Sequence, residues 1–155
     1  MLKRILMATD GSARAQKAAT QAIELAKSCG TELNVISVVD SGSPRSAIDI
    51  DPYDIVDEDT AILDKLDEEK KKPEMAFVKR IVEMAADEGL SAGSEVRIGN
   101  PAEEILAYAK ESSSDVIVIG SHGRGAIASA VMGSVASSIV HKGDLPVLLV
   151  PVHED

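Results

Sequence analysis

The chain is short of aromatic residues: among 155 residues there are Phe77, Tyr53 and Tyr108, and no tryptophan. Stacking platforms for single-stranded nucleic acid are built from aromatic rings, so this scarcity argues against that class of partner. Positive charge is also in deficit. Sixteen Lys and Arg face twenty-six Asp and Glu, a formal net charge of −10, which opposes non-specific binding to DNA or to an anionic membrane. Cys29 is the only cysteine, so no intrachain disulfide can form and no cysteine cluster can hold a metal; the plain expectation for it is a buried, inert thiol. His122, His141 and His153 lack the spacing of zinc ligands, and the last two read as surface residues. No apolar run reaches membrane-spanning length, and Ile5–Ala8 is too short for the apolar part of a secretion signal. These absences read as a cytoplasmic protein with neither a membrane span nor a nucleic-acid surface.

Strands alternating with helices make up the rest. Lys3–Thr9 reads as a short apolar strand. Ser12–Ser28 carries Ala15, Ala18, Ala19, Ala22 and Ala26 at helical spacing, with Gly30 as a stop. Thr31–Val39 is rich in β-branched residues and reads as a second strand. Residues 41–59 contain Gly42, Pro44 and Pro52 and read as loop. Residues 60–72 read as a charged helical turn or two, with Ile62, Leu63 and Leu66 on one side. Pro73 breaks that helix or starts the next, whose stripe is Val78, Ile81, Val82 and Ala85. Between 40 and 74 there are twelve acidic residues against five basic ones, which reads as an acidic, mobile connector over about 41–73.

Ser91–Ile98 reads as a third strand. Asn100-Pro101-Ala-Glu103 has the composition of a helix start, with Asn at the N-cap, Pro at N1 and Glu at N3. Asp115–Ile119 is a continuous apolar strand, as expected when helices cover both faces of a sheet. A last helix follows from Ser134, and Leu145–Val150 reads as a fifth strand. With no internal repeat, the whole of 1–155 reads as one α/β domain around a parallel sheet with right-handed crossovers.

The chemistry-capable residues fall at strand carboxyl ends, where ligands bind in such sheets. One loop is Ala8-Thr9-Asp10-Gly11-Ser12. The other begins Gly120-Ser121-His122-Gly123 and, after nine residues, reaches Gly133-Ser134. A buried strand entering a glycine-spaced loop is a way of turning backbone N–H groups toward phosphate, since glycine lets the main chain come close and adopt positive φ. The helix opening at Ser134 would add free N–H groups and the positive end of its dipole. The Walker pattern is absent, because no Gly-Lys-Ser/Thr follows, and the spacing is not that of the Gly-x-Gly-x-x-Gly dinucleotide signature.

Taken together, Ile5-Leu-Met-Ala-Thr-Asp-Gly-Ser12, Ser37-Val-Val-Asp40, Gly99-Asn-Pro-Ala102, the glycine loop and Pro146-Val-Leu-Leu-Val150 resemble the universal stress protein family over nearly the whole chain. The Gly-x2-Gly-x9-Gly-Ser spacing at Gly120, Gly123, Gly133 and Ser134 is similar to the motif of its ATP-binding branch. The resemblance implies a Rossmann-like five-stranded parallel sheet of order 3-2-1-4-5 with helices on both faces. It implies a regulatory ATP-binding protein, or one for another adenine nucleotide, with Mg²⁺ or Mn²⁺, acting through an unidentified partner protein rather than as an enzyme. The implied contacts begin with Ala8, Thr9 and Asp10, the last facing the ribose or a divalent ion. Val38 would offer backbone groups to the adenine edge. Gly120, Ser121, His122 and Gly123 would meet ribose and phosphates. Gly133, Ser134 and Val135 would hold the outer phosphates. A homodimer through the strand at 146–151 is expected on two counts: Val147–Val150 is apolar at every position at a sheet edge, and the family points to the same interface.

Residue by residue, other readings stand beside these. Asp10 has the chemistry of a helix cap as well as of a ligand. Ser12 reads as an N-cap and Thr9 as a backbone-bonding turn residue. His122 and Arg124 suit phosphate or open solvent equally. A slow ATP hydrolase or nucleotidyl-transfer enzyme on the same fold is the rival function, although no base or arginine finger is marked by a motif. A partner-binding module without nucleotide is the third reading, and the intact glycine spacing counts against it.

Overall fold

A computed structural model describes residues 1–41, 57–121 and 132–151. The elements run β1 (Arg4–Thr9), α1 (Ala13–Cys29), β2 (Glu32–Asp40), α2 (Asp57–Asp87), β3 (Ala92–Gly99), α3 (Pro101–Glu111), β4 (Val116–Gly120), α4 (Ser134–Lys142) and β5 (Val147–Val150). The five strands form one sheet of order β3-β2-β1-β4-β5, and every described pairing is parallel. The order reverses between β1 and β4. That places a switch point beyond Thr9 and Gly120.

The two-residue repeat of the strands divides their side chains between two cores. Ile5, Met7, Leu33, Val35, Val116 and Val118 pack with the alanine stripe of α1 and with Val78, Ile81 and Ala85 of α2. Leu6, Ala8, Ile36, Ile117 and Ile119 pack with Ala102, Ile105 and Ala109 of α3 and with Ala136 and Ile139 of α4. Small residues on α1 let that helix lie close to the sheet. Asn100 caps α3 as its composition predicts, its side-chain oxygen accepting from Glu103 N at 3.1 Å. Gly30 ends α1 in the left-handed region at φ 64°, a conformation that glycine enters without penalty.

Three expectations are corrected. First, Pro73 neither breaks nor starts a helix: residues 57–59, read as loop, and the charged helical stretch at 60–72 belong with it to one 31-residue helix that runs through it. A mid-helix proline costs roughly 3 kcal/mol. The segment beyond it buries Val78, Ile81 and Ala85, and full burial of each large aliphatic contributes about 1.5–3 kcal/mol, so packing outweighs the lost bond. Upstream, Leu66 is exposed. Residues 42–56 of the expected connector, and the side chains of Ile62 and Leu63, lie outside the described residues. Second, Cys29 is exposed, because α1 ends at this residue, beyond its last buried position, Ala26. Third, the fifth strand starts at Val147 rather than Leu145. Pro146 has no N–H to donate, yet its carbonyl accepts from Ile117 N at 3.0 Å.

Candidate functional site at the switch point

β1 and β4 run side by side with Ala8 opposite Ile119. Their next residues, Thr9 and Gly120, therefore open two neighbouring loops. In the first loop Thr9 is a turn residue, its Oγ1 accepting from Gly11 N at 3.1 Å. Asp10 Oδ1 accepts from Ser12 N at 2.9 Å. Ser12 in turn caps α1, its Oγ accepting from Ala15 N at 3.2 Å. The helix cap is thus Ser12, and Asp10 shapes the turn ahead of it. Gly11 has φ +75°, so a side chain there would be strained whatever the space.

The second loop is closed at its neck. Gly133 N donates to Ser121 O at 2.6 Å, and Ser121 N donates to Val150 O at 2.9 Å. Both ends of the glycine-spaced segment are thereby tied to the top of β4 and β5. Gly133 is the N-cap of α4; among the described residues no side chain hydrogen-bonds as its cap, and its first turn holds no acidic residue. The opening N–H groups of α4 and the positive end of its dipole are suited to an anion. Glycine at this N-cap brings no Cβ toward an anion. Its φ is −67°, so the expected positive φ does not apply at Gly133 and closeness alone is its advantage. Ser134 is exposed, whereas Val135 is half-buried against the core of α3 and α4. Any role of Val135 at the site falls to its backbone.

On the other side of β1, β2 outruns its neighbour. The last pair is Thr9 with Ser37, while β2 continues to Asp40 beside β3. Val38 therefore stands past the end of β1, with main chain unpaired by that strand. The geometry brings Ala8, Thr9, Asp10, Gly120, Ser121 and Gly133 together at the carboxyl ends of β1 and β4, with Val38 across β1. His122, Gly123 and Arg124 lie outside the described residues. Among the described residues no three His, Cys, Asp or Glu side chains gather to hold a metal ion. A divalent ion here would take Asp10 together with a ligand's own oxygens.

Three residues at this end escaped the sequence reading. Ser37, fully buried, donates from Oγ to the Thr9 carbonyl at 2.9 Å. Glu74 of α2 is only 6% exposed and hydrogen-bonds the same Ser37 hydroxyl. Phe77, one turn along α2, packs on Gly11: a Cβ built on that glycine would lie 2.6 Å from Phe77 Cγ and nearer still to Cδ2 and Cε2. Glu74 follows Lys70-Lys-Lys-Pro73 and reads as one more solvated charge. The lone phenylalanine and the glycine of Asp10-Gly11 were signals, but nothing local joined them.

A doubly wound parallel sheet of this strand order, with helices on both faces, defines a Rossmann-like α/β domain. The chain belongs to the universal stress protein family, whose family model matches residues 1–151. Universal stress protein YxiE of Bacillus subtilis is 32% identical over 154 residues, covering 97% of this chain and 99% of that protein. The solved structure of MJ0577, a universal stress protein of Methanocaldococcus jannaschii, superposes with a TM-score of 0.78 at 26% identity, covering all of this chain and 99% of that one. A universal stress protein solved in complex with cAMP shares the fold, with a TM-score of 0.70 and 22% identity over 98% of this chain and 99% of that one. Among the described residues no helix is long and apolar enough to cross a membrane.

Proposed function

We propose that this protein is a cytoplasmic adenine-nucleotide-binding regulator, with ATP and Mg²⁺ or Mn²⁺ as its ligands, and that the whole chain is one nucleotide-binding domain. The observation that carries the reading is the uncapped N-terminus of α4, tied by Gly133 to Ser121 beside the end of β1. Backbone N–H groups and the helix dipole favour phosphate at such a place. Gly120, Ser121, Gly133, Ser134 and the Val135 backbone would take the phosphates, with His122 and Gly123 completing the loop. Ala8 and Thr9 would line the floor, and the Val38 main chain would meet the base. Asp10 would meet the ribose or share a cation with the phosphates. The cAMP-bound relative supports an adenine nucleotide as the ligand class.

A few such contacts supply an affinity in the micromolar range, about −8 kcal/mol, which suits a sensor of adenylate state. Binding and release, rather than turnover, are its function on this reading, and a partner protein reads the bound state. The assembly is a homodimer through β5. That strand ends the sheet order, and its Leu148 is 41% exposed, an apolar edge that antiparallel pairing with a second copy would cover. The test is direct: purified protein is denatured and its supernatant analysed for nucleotide, and the refolded or stripped protein is titrated with ATP and Mg²⁺ by calorimetry. Release of ATP and a micromolar dissociation constant are expected. Absence of both overturns the reading, and steady ATP hydrolysis above about 1 s⁻¹ would make the protein an enzyme.

A further inference from the structure

We infer that Glu74 and Phe77 of α2 form a two-point grip that positions Asp10 for the ligand; this rests on the nucleotide-binding reading above. The two residues are three apart on a helix and so share a face. The first grip is polar. Ser37 Oγ sits between the Thr9 carbonyl, at 2.9 Å, and a Glu74 carboxylate oxygen. All three groups are buried, where an unmade hydrogen bond is costly. The second grip is steric. The Phe77 ring fills the space a Cβ at Gly11 would occupy. Asp10 lies between the gripped residues, its Oδ1 held by Ser12 N. Thr9 closes the turn from its side by accepting from Gly11 N.

The turn therefore has few ways to move unless α2 moves. A carboxylate displaced by about an ångström holds a ribose hydroxyl or a phosphate-bound cation less well. Glu74 itself faces Ser37, so it acts as a positioning residue, through Ser37 and Thr9, rather than as a ligand. The serine hydroxyl has one proton and meets two acceptor oxygens. A glutamine at 74 could donate its amide N–H to Ser37 Oγ and leave that proton to the Thr9 carbonyl, so Glu74→Gln should restore the grip that Glu74→Ala removes.

The experiment is calorimetric titration of the full chain with ATP and Mg²⁺, at a temperature where circular dichroism shows every variant folded. Wild type, Glu74→Ala, Glu74→Gln, Asp10→Ala and the Asp10→Ala/Glu74→Ala double variant are compared. We expect Glu74→Ala to weaken binding about tenfold and to cost less than about threefold once Asp10 is gone, because coupled neighbours are non-additive. Glu74→Gln should bind within about threefold of wild type. If Glu74→Ala does not fold, Ser37→Ala replaces it in the same cycle. A folded Glu74→Ala or Ser37→Ala with wild-type affinity overturns the inference. So does a loss that is undiminished in the Asp10→Ala background, or a Glu74→Gln variant as weak as Glu74→Ala. A wild type that binds no ATP overturns the nucleotide reading itself, and this inference with it; the wild-type arm keeps the two failures apart.

Discussion

Gly11→Ala tests how tightly α2 is docked on the first loop. Two costs arise from one methyl group. The residue has φ +75°, and the left-handed region costs an L-residue about 1–2 kcal/mol. The new Cβ would also enter the Phe77 ring, 2.6 Å from Cγ and closer to two other ring atoms. Overpacking of this kind adds about 1–3 kcal/mol. The sum is roughly 2–5 kcal/mol. With a urea slope of about 1–3 kcal/mol per molar, a 3 kcal/mol loss moves the unfolding midpoint down by roughly 1–3 M. The assay is urea unfolding followed by circular dichroism, at fixed protein concentration because association contributes to apparent stability. Phe77→Ala supplies the control. Without the ring, the steric part vanishes and Gly11→Ala should cost only the conformational part, about 1–2 kcal/mol. A Gly11→Ala variant within about 0.5 kcal/mol of wild type, or one whose cost is the same with and without the ring, would refute the packing argument.

Three further outcomes follow from the same structure. Asp10→Ala should weaken ATP binding more than it weakens the fold, since Ser12 holds the cap of α1; a lowered melting temperature with unchanged affinity in calorimetry would make Asp10 a purely structural turn residue. Leu148→Asp places a charge on the β5 edge and should shift light scattering from dimer to monomer with the fold retained; a variant that stays dimeric excludes this strand as the interface. Asp115 Oδ2 accepts from Lys3 N at 2.7 Å and Arg4 N at 2.9 Å, and these bonds hold its carboxyl below the usual carboxylate range. Its stabilisation is therefore present above the unfolded-state pKa and is lost as pH falls through the lower folded value. Asp115→Asn should melt below wild type at neutral pH, and the two should converge on acidification; a constant gap across a pH series of melting curves would deny the carboxylate its role.

Much of this protein was legible in the order of its residues. The alanine stripe of α1, the Asn100-Pro101 start of α3 and the unbroken apolar run of β4 are local signals. Each specifies its element because helix and strand periods, and the wish of the first N–H groups for a cap, act over a few residues. The two loops at strand carboxyl ends were legible for the same reason, and the switch point followed from alternation and handedness together with the family's strand order. Tertiary structure decided what depends on partners distant in the chain. Pro73 stays inside a helix because the sheet holds the turns that follow it. Glu74, written among lysines, is buried because β2 presents Ser37 there, and Phe77 and Gly11, 66 positions apart in the chain, meet because α2, packed on β2 and β3, reaches the turn that follows β1. The backbone angle of Gly133 and its bond to Ser121 likewise came from the closing of a loop whose ends are twelve residues apart. A short-range pattern records what a residue can do, and only the packed chain determines which neighbour it does it with.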